Sequence, residues 1–289
     1  MRIGIVSPVL IQHPATRAAW EIEAGITEVA DIAATADRLG YHHVTCSEHV
    51  AVPAETAAER GGTYWDPLST LGFLAARTSR IRLVTQVLVL GYHHPLEIAK
   101  RYGTLDRVSG GRVTLGLGVG SLREEFDLLG APFEGRGARA DDALRALRAA
   151  LGRPTPEYHG EFYDFEDFVI EPHAVQEHLP LWIGGRTPRS LRRAVELGDG
   201  WVPFGIRIDD LAAMLANAPV PAGMEIVLNA GRSLDPAGSP DATARTLSRL
   251  RGAGATVASV NLEATSATHF CDQLATLEQL ARPLGIEFD

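Results

Sequence analysis

Leu181-Trp182-Ile183-Gly184-Gly185-Arg186-Thr187-Pro188 is the stretch on which the fold turns. Leu181, Trp182 and Ile183 form a short apolar run, the mark of a buried strand. Gly184 and Gly185 carry no Cβ, so a ligand can come close to their backbone N–H groups. Thr187 is a good N-cap and Pro188 suits the first helical position, so a helix begins at once. Arg189, Arg192 and Arg193 lie within two turns of that start. A helix N-terminus with free N–H groups beside guanidinium groups is an anion site. This one reads as a seat for the phosphate of a cofactor.

The same strand–turn–helix unit recurs along the chain. Apolar strand runs fall at 3–6, 43–46, 81–90, 113–117, 181–184, 200–204, 225–229 and 257–262. Helical patterns follow at 27–39, 67–78, 95–108, 137–151, 188–197, 209–216, 240–251 and 265–282, with start signals such as Asp66-Pro67 and Asp209-Asp210. Eight such units in 289 residues predict one α/β domain over 1–289, a (β/α)8 TIM barrel. An open doubly wound sheet is the other arrangement this alternation allows. Insertions are expected after strands 1, 2 and 4, at 7–26, 47–66 and 152–180, the last containing a hairpin at 158–165 outside the barrel. The first two leave strands directly and so belong to the C-terminal face, where barrel active sites are built.

Composition narrows the function. A hydrophobic content of 45% supplies a large core, and a net charge of −9 argues against nucleic acid as a partner. The opening Arg2-Ile3-Gly4-Ile5-Val6 reads as a strand and not as a signal peptide. No apolar run is long enough to span a membrane, and the two cysteines, Cys46 and Cys271, imply no disulfide framework. The expectation is a cytoplasmic enzyme acting on a small molecule.

Three further stretches carry chemistry. The second strand ends in Ser47-Glu48-His49, an acid and an imidazole at the barrel mouth, and histidine suits proton transfer near neutral pH. Gly116-Leu117-Gly118-Val119-Gly120-Ser121 ends the fourth strand. It is a bare GxGxG rather than a full dinucleotide fingerprint, and the negative charge of Arg123-Glu124-Glu125 follows at once, so the glycines read better as room for a flat ring than as a pyrophosphate loop. Trp20, Tyr64, Trp65 and Tyr92 fall in the same loops, with His93-His94 after the third strand. Trp20, Trp65 and His93 are candidate substrate contacts. No metal is expected, since neither HExxH nor a Cys/His cluster occurs.

Taken in order, several segments resemble the luciferase-like monooxygenase superfamily, and within it the coenzyme F420-dependent oxidoreductases. They are Leu39-Gly40-Tyr41 through Ser47-Glu48-His49, Asp66-Pro67-Leu68 through Leu83, Thr85 to Leu90, Thr104 to Arg112, Gly116 to Phe126, and Leu181 to Trp201. The resemblance covers about residues 27 to 205. It implies a TIM barrel holding a flavin-like ring in its mouth, and hydride transfer between coenzyme F420 and a small organic substrate. His49 would move the accompanying proton with Glu48 orienting it. The ring would lie over Gln86-Val87, where relatives carry a strand bulge with a non-prolyl cis peptide, and against Gly118, Val119, Gly120 and Ser121. The phosphate would lie on Gly184, Gly185, Arg186 and Thr187. FMN with oxygen, as in a monooxygenase, and a barrel that binds such a ligand without turnover stay open. Relatives are often dimers, which by analogy gives a homodimer. Three departures stand out: many relatives have Asp where Glu48 stands, some F420-dependent dehydrogenases have Glu where Ser121 stands, and segment 7–26 is not standard.

Overall fold

The computed structural model describes residues 1–289. The chain runs β1 (Arg2–Ile5), α1 (Ile26–Leu39), β2 (His43–Cys46), α2 (Ala54–Arg60), α3 (Pro67–Ala75), β3 (Arg82–Val89), α4 (Pro95–Ser109), β4 (Val113–Gly118), α5 (Arg123–Leu128) and α6 (Arg136–Ala150). The hairpin strands β5 (Tyr158–His159) and β6 (Asp164–Phe165) follow, then β7 (Leu181–Gly184), α7 (Pro188–Leu197), β8 (Gly200–Val202), α8 (Ile208–Ala216), β9 (Glu225–Asn229), α9 (Pro240–Gly252), β10 (Val257–Val260) and α10 (Ala267–Ala281). Eight parallel strands close into a barrel in the order β1-β2-β3-β4-β7-β8-β9-β10, with β10 paired back on β1. The open doubly wound sheet is therefore excluded. No helix is long and apolar enough to cross a membrane.

The strand runs read from the sequence overshoot at their ends. The sixth stops at Val202, because Pro203 has no N–H to extend the ladder. Helices α2 and α5 lie inside stretches read as loop; at seven and six residues they are too short to show a period. The hairpin is present, with Tyr158 opposite Phe165. Two buried carboxylates strap its long connection to the barrel. Asp142 of α6 accepts from Phe162 N at 2.7 Å and Tyr163 N at 3.1 Å, and Asp106 of α4 accepts from Val175 N at 2.9 Å and Gln176 N at 3.0 Å.

Side chains alternate between the barrel interior and the helix layer. Val84, Trp182, Val202, Val227 and Val257 form a small buried cluster of their own, while Trp201, one residue from Val202, joins the main core and donates to Ser190 of α7 at 3.3 Å. The end of the barrel opposite the mouth is polar inside. Arg2 Nη1 lies 3.0 Å from His42 Nε2, His42 Nδ1 lies 3.0 Å from His43 Nδ1, and His43 Nε2 lies 2.8 Å from Ser259 Oγ. Gly4 makes room for this chain, since a Cβ there would meet the His43 ring at 2.2 Å. Burial holds both imidazoles far below their ordinary range, His42 at about 2 and His43 at about 3.

Candidate active site

The mouth is shaped by a bulge in β3. Thr85 pairs with Leu115 and Leu88 with Leu117, so Gln86 and Val87 form an extra step, and the peptide bond between them is cis. The carbonyls that the bulge takes out of the ladder find donors at the end of β2: Glu48 N donates to Val87 O at 3.2 Å, and the Ser47 hydroxyl donates to Gln86 O. The glycines beside the bulge follow from the same geometry. A Cβ on Gly118 would meet Val87 Cγ2 at 2.6 Å, and one on Gly184 would meet Val87 Cγ1 at 2.9 Å. Gly120, at φ +73°, leaves space for the Phe126 ring, which a Cβ would meet at 2.5 Å. The glycine-rich end of β4 thus first admits Val87 and Phe126, before any ligand. Gly118→Ala is expected to destabilise the fold by about 1–3 kcal/mol through overpacking, read by urea unfolding. A change under about 0.5 kcal/mol would remove this role from Gly118.

Over the bulge lies a cavity of about 330 Å3. Its walls include Ser47, Glu48 and His49 from the end of β2, Gln86 and Val87 from the bulge, and Gly118 to Ser121 from the end of β4. Gly184 and Gly185 complete the wall beside Val87, and the aromatic rings of Tyr64, Tyr92 and Phe204 face it too. Of the residues expected to hold a cofactor, Gln86, Val87, Gly118, Val119, Gly120, Ser121, Gly184 and Gly185 line this one space, whereas Arg186 and Thr187 lie outside it.

The partner of His49 is Glu125. His49 Nδ1 lies 2.8 Å from Glu125 Oε2, and the same carboxylate accepts from Tyr92 Oη at 2.7 Å, Val50 N at 2.5 Å and Ala51 N at 3.2 Å. Burial works against the Glu125 charge, but the donors from Tyr92, His49, Ala51 and Val50 outweigh it and hold the carboxyl below its ordinary range. Burial, and then the charge of Glu125, push the Tyr92 hydroxyl well up, so Tyr92 stays protonated and donates. An ionised Glu125 places the His49 proton on Nδ1 and leaves Nε2 with a free lone pair. The His49 ring packs against Tyr64, with centroids 4.4 Å apart.

Glu48 does not perform the orienting role expected of it. Its Oε2 accepts from Val89 N at 2.7 Å and its Oε1 accepts from His93 Nε2 at 2.6 Å. Glu48 therefore ties β2 to the strand beyond the bulge. Burial disfavours the charged form of His93, but the bond to Glu48 prevails and raises its pKa. His93 stands behind Glu48 and does not line the cavity, and neither does Trp20 or Trp65. Trp20 packs toward Phe270 of α10, 6.4 Å between centroids, and the Trp65 carbonyl accepts from Cys46 Sγ at 3.5 Å. Burial pushes that thiol up to about 12, so Cys46 is inert.

Glu125 was missed because α5 is one and a half turns long. A signal exists: Leu122 and Phe126 recur at helical spacing, which turns Glu125, beside the buried Phe126, inward, where it is 1% exposed.

The start of α7 supplies part of what an anion needs. Gly185, at φ +147°, lets the chain pass Ser190, which a Cβ would meet at 2.5 Å. The Thr187 and Ser190 N–H groups are taken by a capping box, at 3.1 Å to Ser190 Oγ and 3.2 Å to Thr187 Oγ1. Gly185 N donates to Val202 O at 3.3 Å. Fewer free N–H groups remain than the sequence suggests, so the charge falls to Arg186, which is exposed and in no ion pair or hydrogen bond. Arg189 and Arg193 are drawn instead to Asp141.

The model of the luciferase-like monooxygenase family matches residues 1–256. An uncharacterized protein of Mycobacterium tuberculosis is 31% identical over 197 residues, which span 64% of this chain and 68% of that protein. The crystal structure of the monooxygenase RslO1 from Streptomyces bottropensis shares the fold with a TM-score of 0.80 at 23% identity, over 99% of this chain and 100% of that one. The coenzyme F420-dependent tetrahydromethanopterin reductase from Methanopyrus kandleri does so with a TM-score of 0.71 at 16% identity, over 92% and 97%.

Proposed function

Because the chain belongs to the luciferase-like monooxygenase family, we propose that it is an oxidoreductase dependent on coenzyme F420, working on a small organic substrate. The observation that carries this reading is the pairing of a proton carrier with a ring-sized cavity. His49, oriented by the buried Glu125, stands at the edge of a 330 Å3 space backed by Val87. In the F420-dependent relatives that the sequence resembles, the histidine after the second strand lies by the reactive face of the ring.

The residues fit such a group. Gln86 Oε1 is buried and has no partner, which leaves an acceptor for a ring N–H. Val87, Gly118 and Gly184 form a wall without protruding polar groups, and Arg186 is available for a phosphate. A deazaflavin bound there would supply hydride transfer at its C5. The protein holds and moves the proton: His49 Nε2 takes it from a substrate hydroxyl, or returns it, while Glu125 stabilises the imidazolium through Nδ1. Tyr92 and the Val50 and Ala51 amides keep Glu125 ionised and still. Glu48 and His93 act as positioning residues that fix the bulge.

A monooxygenase and an F420-dependent reductase both share this fold, so affinity decides the cofactor. Titrating the pure protein with each should give micromolar F420 binding and none with FMN; the reverse result overturns the reading. Arg186→Ala is expected to weaken F420 binding by about 1–3 kcal/mol, and an unchanged Kd would remove Arg186 from the site.

A further inference from the structure

A second cavity, of about 800 Å3, adjoins the first and has no part in the chemistry above. Gln86 and Phe204 line both, so the two spaces meet at the bulge. The larger one extends from the ends of β8 and β9 to α8 and α9, over a floor of Leu211, Leu228 and Leu250, all at most 5% exposed. Phe204 stands at the junction with 57% of its surface exposed, an apolar ring left uncovered where a ligand would pass.

The charge on this cavity is opposite to that of the chain. The protein carries 36 acidic residues and a net charge of −9, yet no Asp or Glu lines the groove, and the two charged residues that do are Arg232 and Arg249. Neither guanidinium takes part in an ion pair or a side-chain hydrogen bond among those the structure forms. The nearby acids Asp209 and Asp210 are drawn to Arg207, at 3.9 Å and 3.6 Å, and lie off the cavity. Unpaired arginines over an apolar floor recognise a molecule that is apolar along its body and anionic at one end.

We propose that this groove binds the substrate, and that the substrate is an amphipathic organic acid. Its apolar body lies on Leu211, Leu228 and Leu250, its carboxylate or phosphate is drawn to Arg232 and Arg249, and its reacting end passes Phe204 to reach His49. The assignment as substrate rests on the oxidoreductase reading; the groove's preference for such a ligand is tested without it.

Calorimetric titration with octanoate, octyl phosphate and octan-1-ol provides the test, with Arg232→Gln/Arg249→Gln as the variant. Both arginines are exposed and unpaired, so the variant is expected to keep its unfolding midpoint. The two acids should bind at one site, at least about tenfold more tightly than the alcohol, and the variant should lose at least about tenfold in acid affinity while its F420 affinity stays within about twofold. Equal octanoate binding by wild type and variant overturns the proposal, as does a variant that loses F420 affinity and keeps the acids, which would give the arginines to the cofactor's own acidic tail. Acid probes that bind as described to a protein that takes up neither F420 nor FMN would uphold the groove and overturn the proposed function.

Discussion

His49→Ala is expected to lower the turnover of F420 by roughly 10²–10⁴-fold while leaving cofactor affinity nearly unchanged, because a positioned proton carrier contributes about that much to a transition state and little to ground-state binding. The fold should tolerate the change. Glu125 keeps three donors, Tyr92 and the amides of Val50 and Ala51, when the imidazole is removed. Glu125→Gln should cost less, since it leaves the imidazole in place but removes the charge that supports its protonated form. Glu48→Gln acts through the bulge, so it should weaken cofactor binding more than it slows the chemical step. The split between kcat and Kd across these three variants is the check. Equal loss of affinity in all of them would make His49 a binding residue, and unaltered turnover in His49→Ala would remove it from the chemistry.

Acidification should destabilise the protein through the far end of the barrel. In the chain Arg2–His42–His43–Ser259 every imidazole nitrogen has its place with both rings neutral: Arg2 donates to His42 Nε2, His42 donates from Nδ1 to His43 Nδ1, and His43 donates from Nε2 to Ser259. A further proton would face another donor, with His43 fully buried and His42 mostly so. Burial therefore depresses both groups, to about 2 and about 3 from an ordinary 6.5. Below pH 6.5 the unfolded chain takes up protons that the folded chain refuses, so stability is whole above that pH and falls as the pH drops toward 3. Each histidine contributes about 1.4 kcal/mol per pH unit in that window, or roughly 2–3 kcal/mol for the pair by pH 5.5. His93 works in the other direction, since its raised pKa adds stability as the pH falls through it, as does the exposed His159, while burial lowers His94 and adds it to the losing side. Urea unfolding at pH 7.5 and 5.5 measures the loss, and His42→Gln/His43→Gln should flatten it. A wild-type stability that does not change between these pH values, or an equal fall in the double variant, would contradict this account.

The barrel was legible in the sequence because each unit announces itself: an apolar run, a glycine or polar turn, an N-cap such as Thr187 or Asp66 and a proline behind it. The candidate site was legible where it lies on strand ends. Gln86, Gly118 and Gly184 occupy positions that strand register determines, and they converge on one cavity. Contacts across the mouth were not legible, because they depend on how loops pack. Glu48 and His49 are adjacent in sequence, yet their side chains leave the strand end in different directions, one to His93 and the other to Glu125, 76 residues away. Glycines misled for a related reason. A missing Cβ signals close approach, but at Gly118 and Gly184 the approaching group is Val87 of β3, the strand next to Gly118 and two strands from Gly184. At the start of α7 the sequence displayed the helix cap but not that Ser190 would already satisfy it.

The central claim is that the ring of a deazaflavin lies between Val87 and His49. Crystals soaked with F420 test it most directly. The account predicts ring density in the 330 Å3 cavity, against Val87 with His49 Nε2 facing its reactive edge and the phosphate near Arg186. Density for the ring in the groove beside Arg232 and Arg249, with the space over Val87 left empty, would contradict it.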